Sequence, residues 1–85
     1  MIGVLIVTHG NLAKSMIEAY ELIAGKQEMI QTIGLNHGDG IDELKTRIEK
    51  AIDELANEDG MIAFVDFQGG SPYNTMLQIL NNRSF

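Results

Sequence analysis

Three short apolar runs punctuate this chain: "IGVLIV" at 2–7, "MIQTIGL" at 29–35 and "MIAFV" at 61–65. Each leads into a stretch whose apolar residues recur every three or four positions. This alternation constrains the fold more than any other feature. The first run carries β-branched residues and leucine without polar alternation, which predicts a strand buried on both faces, as in a parallel sheet. "MIAFV" reads as a further buried strand ending at Asp66, and "MIQTIGL" as a less apolar edge strand. Between them, Leu12, Ala13, Met16, Ile17, Tyr20, Ile23 and Ala24 define one helix face over 12–24, and Ile41, Leu44, Ile48, Ala51, Ile52 and Leu55 another over 41–55. Asn11 is placed to cap the first helix and Gly25 to end it as a left-handed residue. Glu43 and Arg47 form an i, i+4 pair on the wet side of the second. A third helix opens at "SPYNTMLQIL", with Ser71 as cap and Pro72 at the first helical position.

The order β-α-β-α-β-α predicts an α/β fold, with an open parallel three-stranded sheet, right-handed crossovers and flanking helices. No linker, repeat or low-complexity tract interrupts it, so residues 1–85 read as one domain. The first and third strands are the most apolar, which gives the order 2-1-3. The chain then reverses across the sheet between strands 1 and 3. Ligands of open α/β sheets bind beyond the carboxyl ends of the strands at such a switch point.

Composition narrows the function. The net charge of −6 and six scattered basic residues argue against nucleic acid, which needs a positive footprint. No apolar run approaches the roughly 20 residues of a membrane span. With no cysteine, disulfides, thiol nucleophiles and cysteine metal sites are excluded. Asp39, Asp42 and Glu43 crowd a helix start, where the dipole favours them, and do not read as a metal cluster.

Two strand ends converge on one predicted crevice. His9, in "VTHGN", closes the first strand, and Asp66 closes the third. A carboxylate beside an imidazole accepts one ring N–H and leaves the other nitrogen as a nucleophile. Two helices begin at the same crevice, after "HGN" and after "GGSP", and helix N-termini bind phosphate readily. Gly69 and Gly70 allow close backbone approach, while Ser71 and Thr8 add hydroxyl donors. These residues point to a histidine that takes up a phosphoryl group: its neutral nitrogen attacks, Asp66 orients it, and glycine and serine donors hold the phosphoryl oxygens. Such a step needs no metal and no cofactor. Taken singly, each feature has an ordinary reading: a loop histidine, a turn aspartate, a loop-to-helix "GGSP". His37, in the polar loop "NHGDG", keeps its ordinary reading, and Met16, Met29, Met61 and Met76 sit at core-like positions.

The stretches "IGVLIVTHGNLAKSMIEAYELIAG" and "FVDFQGGSPYN" resemble the enzyme IIA domain of the mannose/fructose/sorbose class of the bacterial phosphoenolpyruvate-dependent sugar phosphotransferase system. The "THG" histidine, the "VD-x-x-GGSP-x-N" segment and the "E-x-I-x-G" helix ending carry the resemblance, which runs the full length of the chain. It implies that His9 is the phosphocarrier and Asp66 its hydrogen-bonding partner, with Gly10, Gly70 and Ser71 helping to hold the phosphoryl group. It also implies a relay in the cytoplasm. The phosphohistidine carrier protein donates to His9, and His9 passes the group to a IIB domain, which phosphorylates sugar entering through the membrane permease. The membrane is thus engaged only indirectly. A homodimer is implied as well.

The family domain is longer, continuing into a fourth strand, a further helix and a strand exchanged between subunits. The present sequence stops at Phe85, after the third helix, which weakens the dimer expectation. Strand 3 is then expected to be an apolar edge that another segment or chain covers. A stable, dispersed 85-residue monomer would refute that expectation. Two other functions stay open on the residues alone. One is a small hydrolase using His9 as base and Ser71 as nucleophile, although "GGSPY" lacks the G-x-S-x-G elbow. The other is an anion- or nucleotide-binding regulatory module that uses the two helix starts without covalent chemistry.

Overall fold

The computed structural model of the protein describes residues 2–36, 38–66 and 71–81. Its elements follow the expected order: β1 (Gly3–His9), α1 (Leu12–Ala24), β2 (Ile30–Leu35), α2 (Ile41–Leu55), β3 (Met61–Val65) and α3 (Ser71–Asn81). The strands form a parallel sheet in the order β2-β1-β3. Val4 to His9 pair with Ile30 to Leu35 on one side, and Gly3 to Val7 with Met61 to Val65 on the other. Gly3 is a close-approach position: a Cβ there would meet the Leu55 carbonyl oxygen at 2.5 Å.

The core lies on one face of the sheet. Leu5, Val7 and Ile33 pack with Leu44, Ile48, Ala51, Ile52 and Leu55 of α2 and with Met76 and Ile79 of α3. The apolar spacing of α2 therefore does what it predicts, except at Ile41, which lies exposed at the helix start. Pro72 is fully buried in the first turn of α3. On the opposite face, the alternate strand residues Ile6 and Thr8 are buried on the side where α1 sits.

Three expectations need correction. In α1 only Ala13 is buried, while Leu12, Met16, Tyr20 and Ile23 are exposed. β3 is not buried on both faces: Met61, Ala63 and Val65 pack against the core, but Ile62 and Phe64 remain 46% and 55% exposed. One cause explains both. With two helices on one face and one on the other, α1 covers β1 and β2, so the outer face of β3 and the adjoining stripe of α1 have no cover among the described residues. The third correction concerns caps and pairs. Asn11 makes no side-chain cap bond, and the Thr8 hydroxyl oxygen accepts instead from the Ala13 N–H at 2.9 Å. Arg47 turns away from Glu43 to the Gly34 carbonyl at 3.2 Å. Gly25 does end α1 with a positive φ of 81°, its N–H bonded to the Glu21 carbonyl.

Candidate functional site

His9 is the last residue of β1, and Asp66 follows the last residue of β3. Because the strands are parallel and paired up to Val7 and Val65, both side chains emerge at the same end of the sheet. The Asp66 carboxylate holds His9 at two points. Its Oδ2 accepts from the His9 backbone N–H at 3.0 Å, and the ring Nδ1 lies 3.1 and 3.2 Å from Oδ2 and Oδ1. The aspartate is mostly buried, with its side chain 13% exposed, whereas the imidazole is 44% exposed. One partner is fixed, and the other is open to a large reactant.

The electrostatics follow from this contact. Burial is the largest influence on the Asp66 carboxyl and works to raise its pKa. The hydrogen bonds from the His9 backbone and ring, with the charge of the ring, together outweigh burial and hold the group below its ordinary value of 3.8. Asp66 is therefore an anion near neutral pH. A carboxylate only accepts hydrogen bonds, so the ring nitrogen facing it carries the proton. In the neutral tautomer so selected, the lone pair sits on Nε2. Histidine, held this way, is a nucleophile at Nε2 or a base there.

The neighbours take up other tasks. Thr8 lies on the opposite face of β1 from His9, 3% exposed, and its hydroxyl caps α1. Its oxygen thus has a partner at the start of α1, on the face of β1 away from the imidazole. Gly10 adopts a positive φ of 59°, which suits glycine, and its N–H bonds to the Leu35 carbonyl at 2.8 Å. Gly10 makes the turn and spends its donor on the sheet. α3 begins at Ser71 itself, so Pro72 is its second residue, one position further in than the sequence suggested; the Ser71 side chain lies outside the described residues, as do Gly69, Gly70 and His37. Among the described residues no group of three or more potential ligands is arranged to hold a metal ion, and no helix is long and apolar enough to cross a membrane.

Two features went unread in the sequence. The backbone half of the Asp66 clamp leaves no compositional trace. The other, Gly34 in the middle of "TIGL", did leave one, since an isolated strand glycine signals close backbone approach. A Cβ at Gly34 would overlap the Gly10 carbonyl oxygen.

A family described as "PTS system fructose IIA component" matches residues 3–84. The chain is 30% identical over 74 residues to the "PTS system fructose-specific EIIA component" of Bacillus subtilis (strain 168), covering 87% of this chain and 51% of the relative. It is 29% identical over 79 residues to the "PTS system mannose-specific EIIAB component" of Escherichia coli (strain K12), covering 93% and 24%. The fold matches phosphotransferase system component EIIA from Streptococcus agalactiae with a TM-score of 0.87 at 25% identity, over 99% of this chain and 62% of the other. It also matches the PTS IIA protein associated with the fucose utilization operon of Streptococcus pneumoniae, with a TM-score of 0.84 at 31% identity, over 94% and 61%. The chain spans about half the length of the fructose-specific relative and about a quarter of the mannose-specific one.

Proposed function

The chain belongs to the family of PTS system fructose IIA components, and on that premise we propose that it is a phosphoryl carrier whose reactive atom is Nε2 of His9. The donor is the phosphohistidine carrier protein and the acceptor a IIB domain. In the first transfer, the Nε2 lone pair forms a bond to phosphorus. The donor's phosphorus–nitrogen bond breaks, and its electron pair stays on the donor nitrogen. The second transfer runs the same exchange from Nε2 to the acceptor. The Nδ1 proton stays in place throughout, held by the Asp66 carboxylate, which also compensates the positive charge that develops on the ring.

The observation that supports this most is the two-point hold of Asp66 on His9. A ring held at backbone and side chain stays aimed along one direction, and phosphoryl transfer depends mainly on positioning and on charge stabilisation. The helix starts supply the second requirement: the backbone of α1 after Gly10 and of α3 from Ser71, with Gly69 and Gly70 before it, would hold the phosphoryl oxygens. The reaction belongs in the cytoplasm, where it reaches the membrane only through the permease, and the family reading implies a homodimer. The hydrolase and the non-covalent anion-binding module remain as competitors that the same experiment separates.

That experiment uses the intact protein with phosphoenolpyruvate and the general phosphotransferase proteins. Wild type is expected to gain one acid-labile phosphoryl group by mass, His9→Ala none, and Asp66→Asn to gain it more slowly by roughly 10-fold or more. Undiminished uptake in His9→Ala, or none in wild type, overturns the carrier reading.

A further inference from the structure

We propose that Arg47 is a positioning residue for His9, acting from α2 through the end of β2. Successive carbonyls of a strand point to opposite sides. At the end of β2, the Leu35 carbonyl faces β1 and accepts the Gly10 N–H. The Gly34 carbonyl accepts from Arg47 Nη1 at 3.2 Å. The same guanidinium nitrogen lies 4.0 Å from Asp39 Oδ2. That oxygen accepts the Asn36 N–H at 2.8 Å, while the Asp39 N–H returns to the Asn36 carbonyl at 3.0 Å. One arginine thus ties the last residues of β2 to the turn that follows them.

The turn after His9 rests on that same piece of backbone. Thr8 pairs with Gly34 and His9 with Leu35. The Gly10 carbonyl packs onto Gly34 so closely that a methyl group there would overlap it. Gly10, in its left-handed conformation, is therefore seated on two consecutive residues of β2, one of which Arg47 holds directly. Asp66 fixes His9 from the β3 side, and Arg47 fixes the support on the β2 side. A long cationic side chain suits this place because one donor nitrogen reaches the Gly34 carbonyl while its charge lies beside the Asp39 carboxylate. If β2 frays at Gly34, the turn shifts and the ring moves against Asp66.

Only one arm of the test rests on the phosphoryl-carrier reading. Arg47→Met keeps the apolar stem and removes the donors, and Arg47→Lys restores a charged donor. In Arg47→Met, with helix content retained by circular dichroism, Gly10 amide exchange is expected to accelerate by roughly 10-fold beyond any change at β3 amides. The nitrogen-15 spectrum of the His9 ring should lose part of its Nδ1–H population. Phosphoryl uptake should slow by roughly 3- to 10-fold, since small misplacements of a reacting group have large rate effects. Arg47→Lys should recover most of each. Unchanged Gly10 exchange and ring tautomer in Arg47→Met overturn the proposal. So does a uniform rise in exchange over the whole sheet, or a loss that lysine does not mend. A wild type that takes up no phosphoryl group refutes the carrier reading, and the amide and ring measurements still decide on Arg47.

Discussion

The two faces of the sheet are built to different standards. On the side of α2 and α3, Leu5, Val7, Leu44, Ile48, Ile52, Leu55 and Ile79 are almost wholly shielded from solvent. On the side of α1, Ile62, Phe64, Met16, Tyr20 and Ile23 remain exposed. The sheet is the same, so the difference lies in helix count: two helices fill one face and one helix half-covers the other. His9 and Asp66 rise from strands whose inner face is the filled one, and a packed core holds the strand ends still beneath the site. The open face asks nothing of His9 and has a different physical status, that of an apolar patch with no cover among the described residues.

The sharpest way to break this comparison is to remove equal atoms from each face. Ile48→Ala opens a cavity between α2 and the sheet and should cost about 2–5 kcal/mol in urea unfolding, with an unchanged denaturant slope. Ile23→Ala, at a residue 91% exposed, should change stability by no more than about 0.5 kcal/mol. Phe64→Ser should behave more like Ile23 than like Ile48, because the ring is more than half in solvent. Comparable losses at Ile23 and Ile48 would mean that the α1 face is covered in solution, and the contrast would collapse.

The same contrast separates what could be read in the sequence from what could not. Periodicity locates elements, so the six segments and the order 2-1-3 were legible, and with them the meeting of His9 and Asp66. Periodicity does not reveal what lies opposite an apolar face. Met16, Tyr20 and Ile23 share the spacing of Ile48, Ile52 and Leu55, yet only the latter set finds a partner layer. Local rules also yield to tertiary ones at polar residues. Asn11 stands where a cap should be, but the tight strand-to-helix turn brings the Thr8 hydroxyl within reach of Ala13 first. Arg47 has Glu43 one turn away, but a backbone carbonyl at the sheet edge lies closer to its guanidinium. The residues proposed to hold a phosphoryl group were inferred from helix starts and glycines, types whose local meaning is many-sided.

A smaller effect tests the α1 face where it is well built. Thr8→Val keeps the shape and burial of residue 8 but removes the acceptor for the Ala13 N–H. The loss should be about 1–2 kcal/mol, the usual cost of a missing helix cap. Thr8→Ser retains the oxygen and should recover part of it. If valine is neutral, the start of α1 is set by packing and not by that hydroxyl.

The smallest expected effect is a loss of stability in acid and concerns the site itself. The folded-state pKa of Asp66 lies below its ordinary value of 3.8, because the His9 hydrogen bonds and charge outweigh burial. A group whose pKa is depressed by folding stabilises the fold while ionised. That contribution is present above 3.8 and is lost as pH falls below 3.8 through the folded value. Asp66→Asn has no such carboxylate and loses nothing in that window. Stability measured for both proteins should therefore differ above 3.8 and converge as the acid limb is descended. A gap that persists unchanged into acid would show that Asp66 holds His9 by shape alone and that its charge contributes nothing to folding. An Asp66 silent in this way would also be unable to favour the Nδ1–H tautomer by its charge, so this acid-limb measurement reaches from stability to the choice of the reactive nitrogen.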